Sequence, residues 1–180
     1  MNTVEPIRNM NDIFSLKNIL GTKPRDLLLF ILGINSGLRI SDLLRLKVSD
    51  VKDKNKVEII EKKTGKNKTF PLIKPIKIVI KSIIRDKNND DYLFQSQKGN
   101  RAITRIQAYR ILKKACKVAG LKIKIGTHTL RKTFGYHFYK KTKDVALLQS
   151  ILNHSTPKIT LRYIGINQEI IESSLMKFCL

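Results

Sequence analysis

The chain has 180 residues, 42% of them hydrophobic, enough for one compact domain that buries roughly two-thirds of its unfolded surface. Its 36 Lys and Arg against 14 Asp and Glu give a formal net charge of +22, which points to a polyanionic partner, nucleic acid being the commonest, over a merely solubilising surface. No apolar run approaches the ~18 residues of a membrane span, no basic amphipathic helix or lipidation site is present, and Met1–Met10 lacks a signal-peptide core, so a soluble cytoplasmic protein is expected.

Asn11 to Leu20 carries Ile13, Leu16, Ile19 and Leu20 at helical spacing and stops at Gly21. Pro24 opens a second helix over Arg25–Ser36, apolar on most sides and therefore central, ended by Gly37. A third, short helix is expected over Ile40–Leu46. Lys56–Ile60 alternates around β-branched residues, Thr64–Lys68 has turn chemistry, and Thr69–Leu72 is extended again, which together predict a β-hairpin. Pro75 starts a helix with Ile76, Val79, Ile80, Ile83 and Ile84 on one face. A brief Tyr92–Phe94 strand follows the charged loop Asp86–Asp91. Helices are then expected over Thr104–Ala119, His128–Lys141, Val145–Leu152, Thr160–Ile164 and Gln168–Phe178. The stripes Leu130, Phe134, Phe138 and Leu147, Leu148, Ile151, Leu152 are expected to be core. No repeat or linker divides residues 1–180.

Four islands stand in a fixed order: SGLRISDLLRL at Ser36–Leu46, KKTGK at Lys62–Lys66, HTLRKTFGYHF at His128–Phe138 and NHSTPKITLRYIGI at Asn153–Ile166. The order Arg, Lys, His-x-x-Arg, His, Tyr resembles the tyrosine recombinase (phage integrase) family, from about Asn11 to Leu175, and the step from His154 to Tyr163 matches as well. The resemblance implies an α+β, mainly α-helical catalytic-domain fold with a small antiparallel β-hairpin. It also implies DNA cleavage and rejoining by transesterification through a 3′-phosphotyrosine.

On that resemblance the leading arginine is Arg39 and the second is Arg131. Two planar guanidiniums can clamp the non-bridging oxygens of one phosphodiester and offset the charge that grows as phosphorus becomes five-coordinate. His128 and Arg131, three apart, leave one face of a helix near its N-terminus. The family places His128 and His154 as hydrogen-bond donors to the phosphate, one of them helping to deprotonate Tyr163, the nucleophile. Lys63, in the hairpin turn, is the acid that protonates the departing 5′ oxygen. Asp42, three after Arg39, is expected to orient that arginine or the His128 ring. Lys62, Lys66 and Lys132 are assigned to DNA contact. His137 falls on the opposite helix face and is read as structural or exposed, and Tyr92, Tyr109, Tyr136 and Tyr139 as ordinary packing residues.

Neither metal nor nucleotide cofactor is implied, since the cations are side chains; Cys116 and Cys179 have no metal-ligand or disulfide spacing. The expected partners are double-stranded DNA, with the protein nucleoid-associated when bound, and further copies of the chain in a tetramer. Residues 167–180, with Ile170, Ile171, Leu175 and Phe178, would dock on a neighbour or pack on their own domain. On the resemblance, residues 1–180 are expected to form the catalytic domain alone, without the N-terminal core-binding domain of most members, as a fragment or a minimal enzyme. Two alternatives remain open. A non-catalytic DNA-binding relative would be marked by a broken catalytic set, and an RNA-binding protein by aromatic stacking motifs on strands; neither mark is found.

Overall fold

Helix 2 of the chain organises everything else. The computed structural model describes residues 4–166 together with 175, 176 and 178; most of the terminal helix expected over Gln168–Phe178, and Cys179, lie outside the described residues. Helix α1 (Met10–Gly21) is capped by the Asn9 side chain, which accepts from the backbone of Asn11, and buries Ile13, Leu16 and Leu20. Helix α2 (Pro24–Ser36) starts at a proline whose missing N–H costs nothing there, and Leu28, Leu29, Phe30 and Leu32 are wholly buried along it. Gly37 ends it at φ +61, where an added Cβ would lie 2.7 Å from the Phe134 ring. Helix α3 (Ile40–Leu43) is shorter than expected, and a single 3-10 turn follows at Val48–Asp50.

Strands β1 (Lys56–Ile60) and β2 (Asn67–Pro71) pair antiparallel, Val57 opposite Phe70 and Ile60 opposite Asn67. The second strand therefore starts two residues before the expected Thr69, because the ladder closes down to a tight turn over residues 61–66. Helix α4 (Lys74–Ile84) turns Ile76 and Ile80 inward. Tyr92–Phe94 is not a strand: single bridges from Tyr92 to Lys47 and from Gln95 to Ala102 leave it as a connector over the core, with Leu93 and Phe94 buried.

Helix α5 (Arg105–Val118) opens on a capping box of Thr104 and Gln107, and α6 (Thr129–Thr142) follows a short link. Helix α7 (Val145–Leu152) is capped by Asp144, which accepts from the Leu147 N–H, and ends at Asn153 in the left-handed conformation. Helix α8 (Pro157–Ile164) begins three residues before the expected Thr160, since Thr156 caps it and Pro157 takes its first turn.

The main core lies among α1, α2, α4, α5 and the sheet. A smaller one, Leu148, Leu152 and Ile164 with Phe134, Phe138 and Tyr163 against them, joins α6, α7 and α8. Leu147, expected in the core, is 49% exposed; it points outward from α7. The two cores meet where α2 crosses α6. There the backbone of Gly33 lies so close that a Cβ would fall 2.9 Å from Cβ of Leu130, the neighbour of Arg131.

This crossing sets the position of Arg131 relative to Gly37. Gly33→Val should destabilise the fold by about 1–3 kcal/mol through overpacking, read as a lower urea midpoint with an unchanged m-value.

Candidate active site

The α2–α6 crossing brings the end of α2 against the first turn of α6, and α7 and α8 close the remaining side. Arg131, one turn into α6 and 3% exposed, donates from Nη1 to the Gly37 carbonyl at 2.5 Å and from Nη2 to the Leu152 carbonyl at 2.6 Å. One guanidinium thus bridges the end of α2 and the end of α7, where the helix dipole places negative charge. Arg39 stands at the N-cap of α3 in an extended conformation, and its Nη1 lies 2.7 Å from Oε2 of Glu61.

Glu61 is wholly buried. Besides Arg39, its Oε2 accepts from the Thr64 hydroxyl at 2.7 Å and from the Asn153 amide at 3.0 Å. Its Oε1 lies 3.7 Å from Arg131 and 4.0 Å from Lys68 Nζ, and accepts no hydrogen bond among the described residues. Burial alone would raise its pKa, but the hydrogen bonds from Thr64, Arg39 and Asn153, with the Arg39 charge, hold it down at about 2. Lys68, also buried, donates to the carbonyls of Gly37 and Ile151 at 3.1 and 3.0 Å. Burial and the neighbouring Arg131 lower it to about 8.

Tyr163 lies on the second turn of α8. Its hydroxyl is 3.3 Å from Nδ1 of His128, and its ring stands edge-on to His154 with centroids 4.9 Å apart. His154, just past the α7 cap, contacts Oγ1 of Thr160 through Nδ1 at 3.0 Å. Burial pushes the Tyr163 phenol above its usual value, with Arg131 and Arg39 pulling it back. Burial also lowers both histidines, reinforced at each by Arg131 and Arg39, and takes His154 to about 4. Near neutrality both imidazoles are therefore uncharged, and the phenol keeps its proton until a base removes it.

Five of the six expected groups, Arg39, His128, Arg131, His154 and Tyr163, form this cluster. Lys63 is exposed in the turn over residues 61–66, close enough for its charge to lower His128 but in no hydrogen bond among the described residues. Lys62 and Lys66 are exposed beside it.

Two expectations are corrected. Asp42 orients neither Arg39 nor His128: Arg39 sits at the cap, outside the helical register that a spacing of three assumes, and the carboxylate accepts the Lys62 N–H at 3.0 Å instead. The acid on Arg39 is Glu61. Lys132, assigned to DNA contact, is 8% exposed, with Nζ donating to the Val4 carbonyl at 2.9 Å and lying 5.2 Å from the Tyr163 ring centroid. It is held under the N-terminal segment, which also seats Arg8 against the Gly165 carbonyl at the end of α8. His137 is structural, its Nε2 bonded to the Ile7 carbonyl at 2.9 Å.

Glu61, Lys68 and Thr160 were not singled out from the sequence. Strand alternation carries a signal for two of them: Glu61 shares a face with Val57 and Ile59, and Lys68 with Phe70 and Leu72. For Thr160 we find no sequence signal.

Residues 8–169 match the model of the phage integrase family. A probable integrase/recombinase of Bacillus subtilis, YoeC, is 48% identical over 179 residues, covering 99% of this chain and 98% of that protein. The crystal structure of XerA recombinase superposes with a TM-score of 0.78 at 21% identity, covering 97% of this chain and 64% of that one. XerH recombinase in a pre-cleavage complex with its difH substrate superposes with a TM-score of 0.75 at 23% identity, covering 96% of this chain and 54% of that one. The chain thus spans between half and two-thirds of those two structures. The two superpositions establish the fold, whereas the family model and the 48% relative speak to the family.

The low values of the histidines make stability depend on pH. A folded value below the unfolded one gives stability that is complete above about 6.5 and is lost as pH falls towards 4, while Glu61 adds a separate loss from about 4.5 down to 2. Between pH 6.5 and 4 the thermal midpoint should fall progressively, and His154→Asn should remove part of that slope, of order 1–2 kcal/mol after solvent screening.

Proposed function

The chain belongs to the phage integrase family as a recombinase catalytic domain, and from that premise we propose that its cluster cuts and rejoins double-stranded DNA through Tyr163. The observation that carries the proposal is the Tyr163 hydroxyl, 3.3 Å from a ring nitrogen of His128 and flanked by two arginines whose inner nitrogens are already occupied.

Arg39 and Arg131 bind the non-bridging oxygens of one phosphodiester. The phenol gives its proton to Nδ1 of the neutral His128, and its oxygen attacks phosphorus. The bond from phosphorus to the 5′ oxygen breaks, and that oxygen takes a proton from Lys63, delivered by the exposed turn. His154, whose Nδ1 lies 3.0 Å from the Thr160 hydroxyl, donates to the phosphate from Nε2 in the tautomer that carries its proton there. The product is a 3′-phosphotyrosyl link and a free 5′ hydroxyl. A 5′ hydroxyl of a partner strand then reverses each transfer, so the phosphoester energy is conserved and no hydrolysis intervenes.

Charge supports the substrate class: +22 overall, with Lys62, Lys63 and Lys66 exposed on one turn. By analogy with the DNA complex of XerH and a lambda integrase tetramer on a Holliday junction, the working form is a homo-oligomer on DNA. The whole described chain serves as the catalytic unit.

Covalent trapping tests this. Sheared genomic DNA of the source organism is incubated with the protein, and adducts are recovered under denaturing conditions and mapped by peptide mass. The expected adduct is on Tyr163 and vanishes in Tyr163→Phe. An adduct that survives, or none under conditions where DNA is retained, overturns the proposal, the latter in favour of a non-catalytic DNA-binding relative. On the fragment so recovered, Arg39→Ala should still bind yet cleave about 10²–10³-fold more slowly in single turnover.

A further inference from the structure

Three groups assigned to catalysis sit on separate elements: Arg39 before α3, Lys63 on the hairpin turn, His154 after α7. One side chain touches all three places. The Glu61 carboxylate pairs with Arg39 itself at 2.7 Å, accepts from Thr64, the residue after Lys63, at 2.7 Å, and accepts from Asn153, the residue before His154, at 3.0 Å. Asn153 is the left-handed cap of α7 at φ 49, so its side-chain direction is tied to the backbone that presents His154. The Glu61 backbone adds to this, its carbonyl accepting from Gly65 at 2.9 Å and its N–H donating to Lys66 at 3.0 Å, which closes the turn on either side of Lys63.

The charge balance is equally particular. Arg39, Arg131 and Lys68 face this single carboxylate, and Asp42, the next acid, spends one oxygen on the Lys62 N–H. An anion wholly beneath the surface cannot compete with an incoming phosphate for the outer face of Arg39, whose side chain is 15% exposed. It can only hold the guanidinium from behind. Guanidiniums left to repel one another would spread, and a misplacement of 1 Å in a phosphate clamp is enough to slow chemistry strongly.

We propose that Glu61 is the positioning residue of the site, a buried carboxylate that aligns Arg39 directly and sets the Lys63 turn and the His154 cap through Thr64 and Asn153. The proposal rests on the catalytic roles assigned above.

The test uses the full chain and the DNA fragment recovered by covalent trapping, with single-turnover cleavage, DNA affinity and thermal midpoint measured together. Glu61→Gln removes the charge and should leave DNA binding equal or tighter, since an anion is lost from a cationic site, while cleavage slows about 10²-fold. In the Glu61→Gln background, Arg39→Ala should add little further loss, because the two act as one unit; a residue that merely holds the fold would give additive losses and a lowered affinity. Glu61→Asp keeps the charge, and with it the fold, but is one methylene too short to reach all three partners. It should lose at least about tenfold in cleavage at nearly parental stability.

Parental cleavage in Glu61→Asp, or in a folded Glu61→Gln, overturns the proposal, as does additivity with Arg39→Ala. If Arg39→Ala alone cleaves at the parental rate, it is the catalytic reading that fails, and the role of Glu61 falls with it.

Discussion

Three cations crowded under an open surface are the constraint around which this molecule is built. Arg131 and Lys68 are almost fully removed from water and Arg39 largely so, an arrangement that would cost several kcal/mol per ion without compensation. Compensation comes from one carboxylate and three backbone carbonyls, Gly37, Ile151 and Leu152. Each carbonyl is a helix end that has no helical partner, so the folds of α2 and α7 and the placement of the cations solve each other's problem. Gly37 serves twice: its left-handed backbone turns one carbonyl towards both Arg131 and Lys68, and its missing Cβ admits Phe134.

The same crowding sets the resting chemistry. Burial, reinforced by the positive neighbours, keeps His128 and His154 neutral, and burial leaves the Tyr163 phenol protonated against the pull of Arg131 and Arg39. A neutral imidazole beside a protonated phenol is a base awaiting its acid. An anion entering between the arginines would cancel part of the field that lowers the histidines and the phenol alike. The N-terminal segment contributes from outside: Val4 draws Lys132 over the Tyr163 ring and Arg8 meets the end of α8, which seats the helix carrying the phenol.

Helix existence and order were legible throughout the described chain, because Pro24 and Gly37 are physical punctuation and the apolar spacing is regular. Boundaries moved where pairing or capping outside the periodic stretch decided them, as with Asn67 at the start of β2 and Thr156 before α8. Asp42 was misread because a spacing of three means a shared face only inside a helix, and Arg39 is not inside one. Lys132 was misread because a lysine beside Arg131 looks like surface until a distant segment covers it.

The residue types and their order determined the family and five members of the cluster, since the chemistry of a phosphodiester demands guanidinium, imidazole and phenol, and each stands in a distinctive local pattern. Glu61 and Lys68 were within reach of strand alternation but not of any chemical motif. What only the tertiary structure decided is which acid answers which cation: Asn153 and Glu61 are 92 positions apart, Arg131 and Gly37 94 apart. Such pairings come from how Glu61 and Lys68 of the hairpin reach the ends of α2 and α7 beside Arg131 of α6, and burial then makes them obligatory, because a charge withdrawn from water must find its partner wherever the chain has brought one.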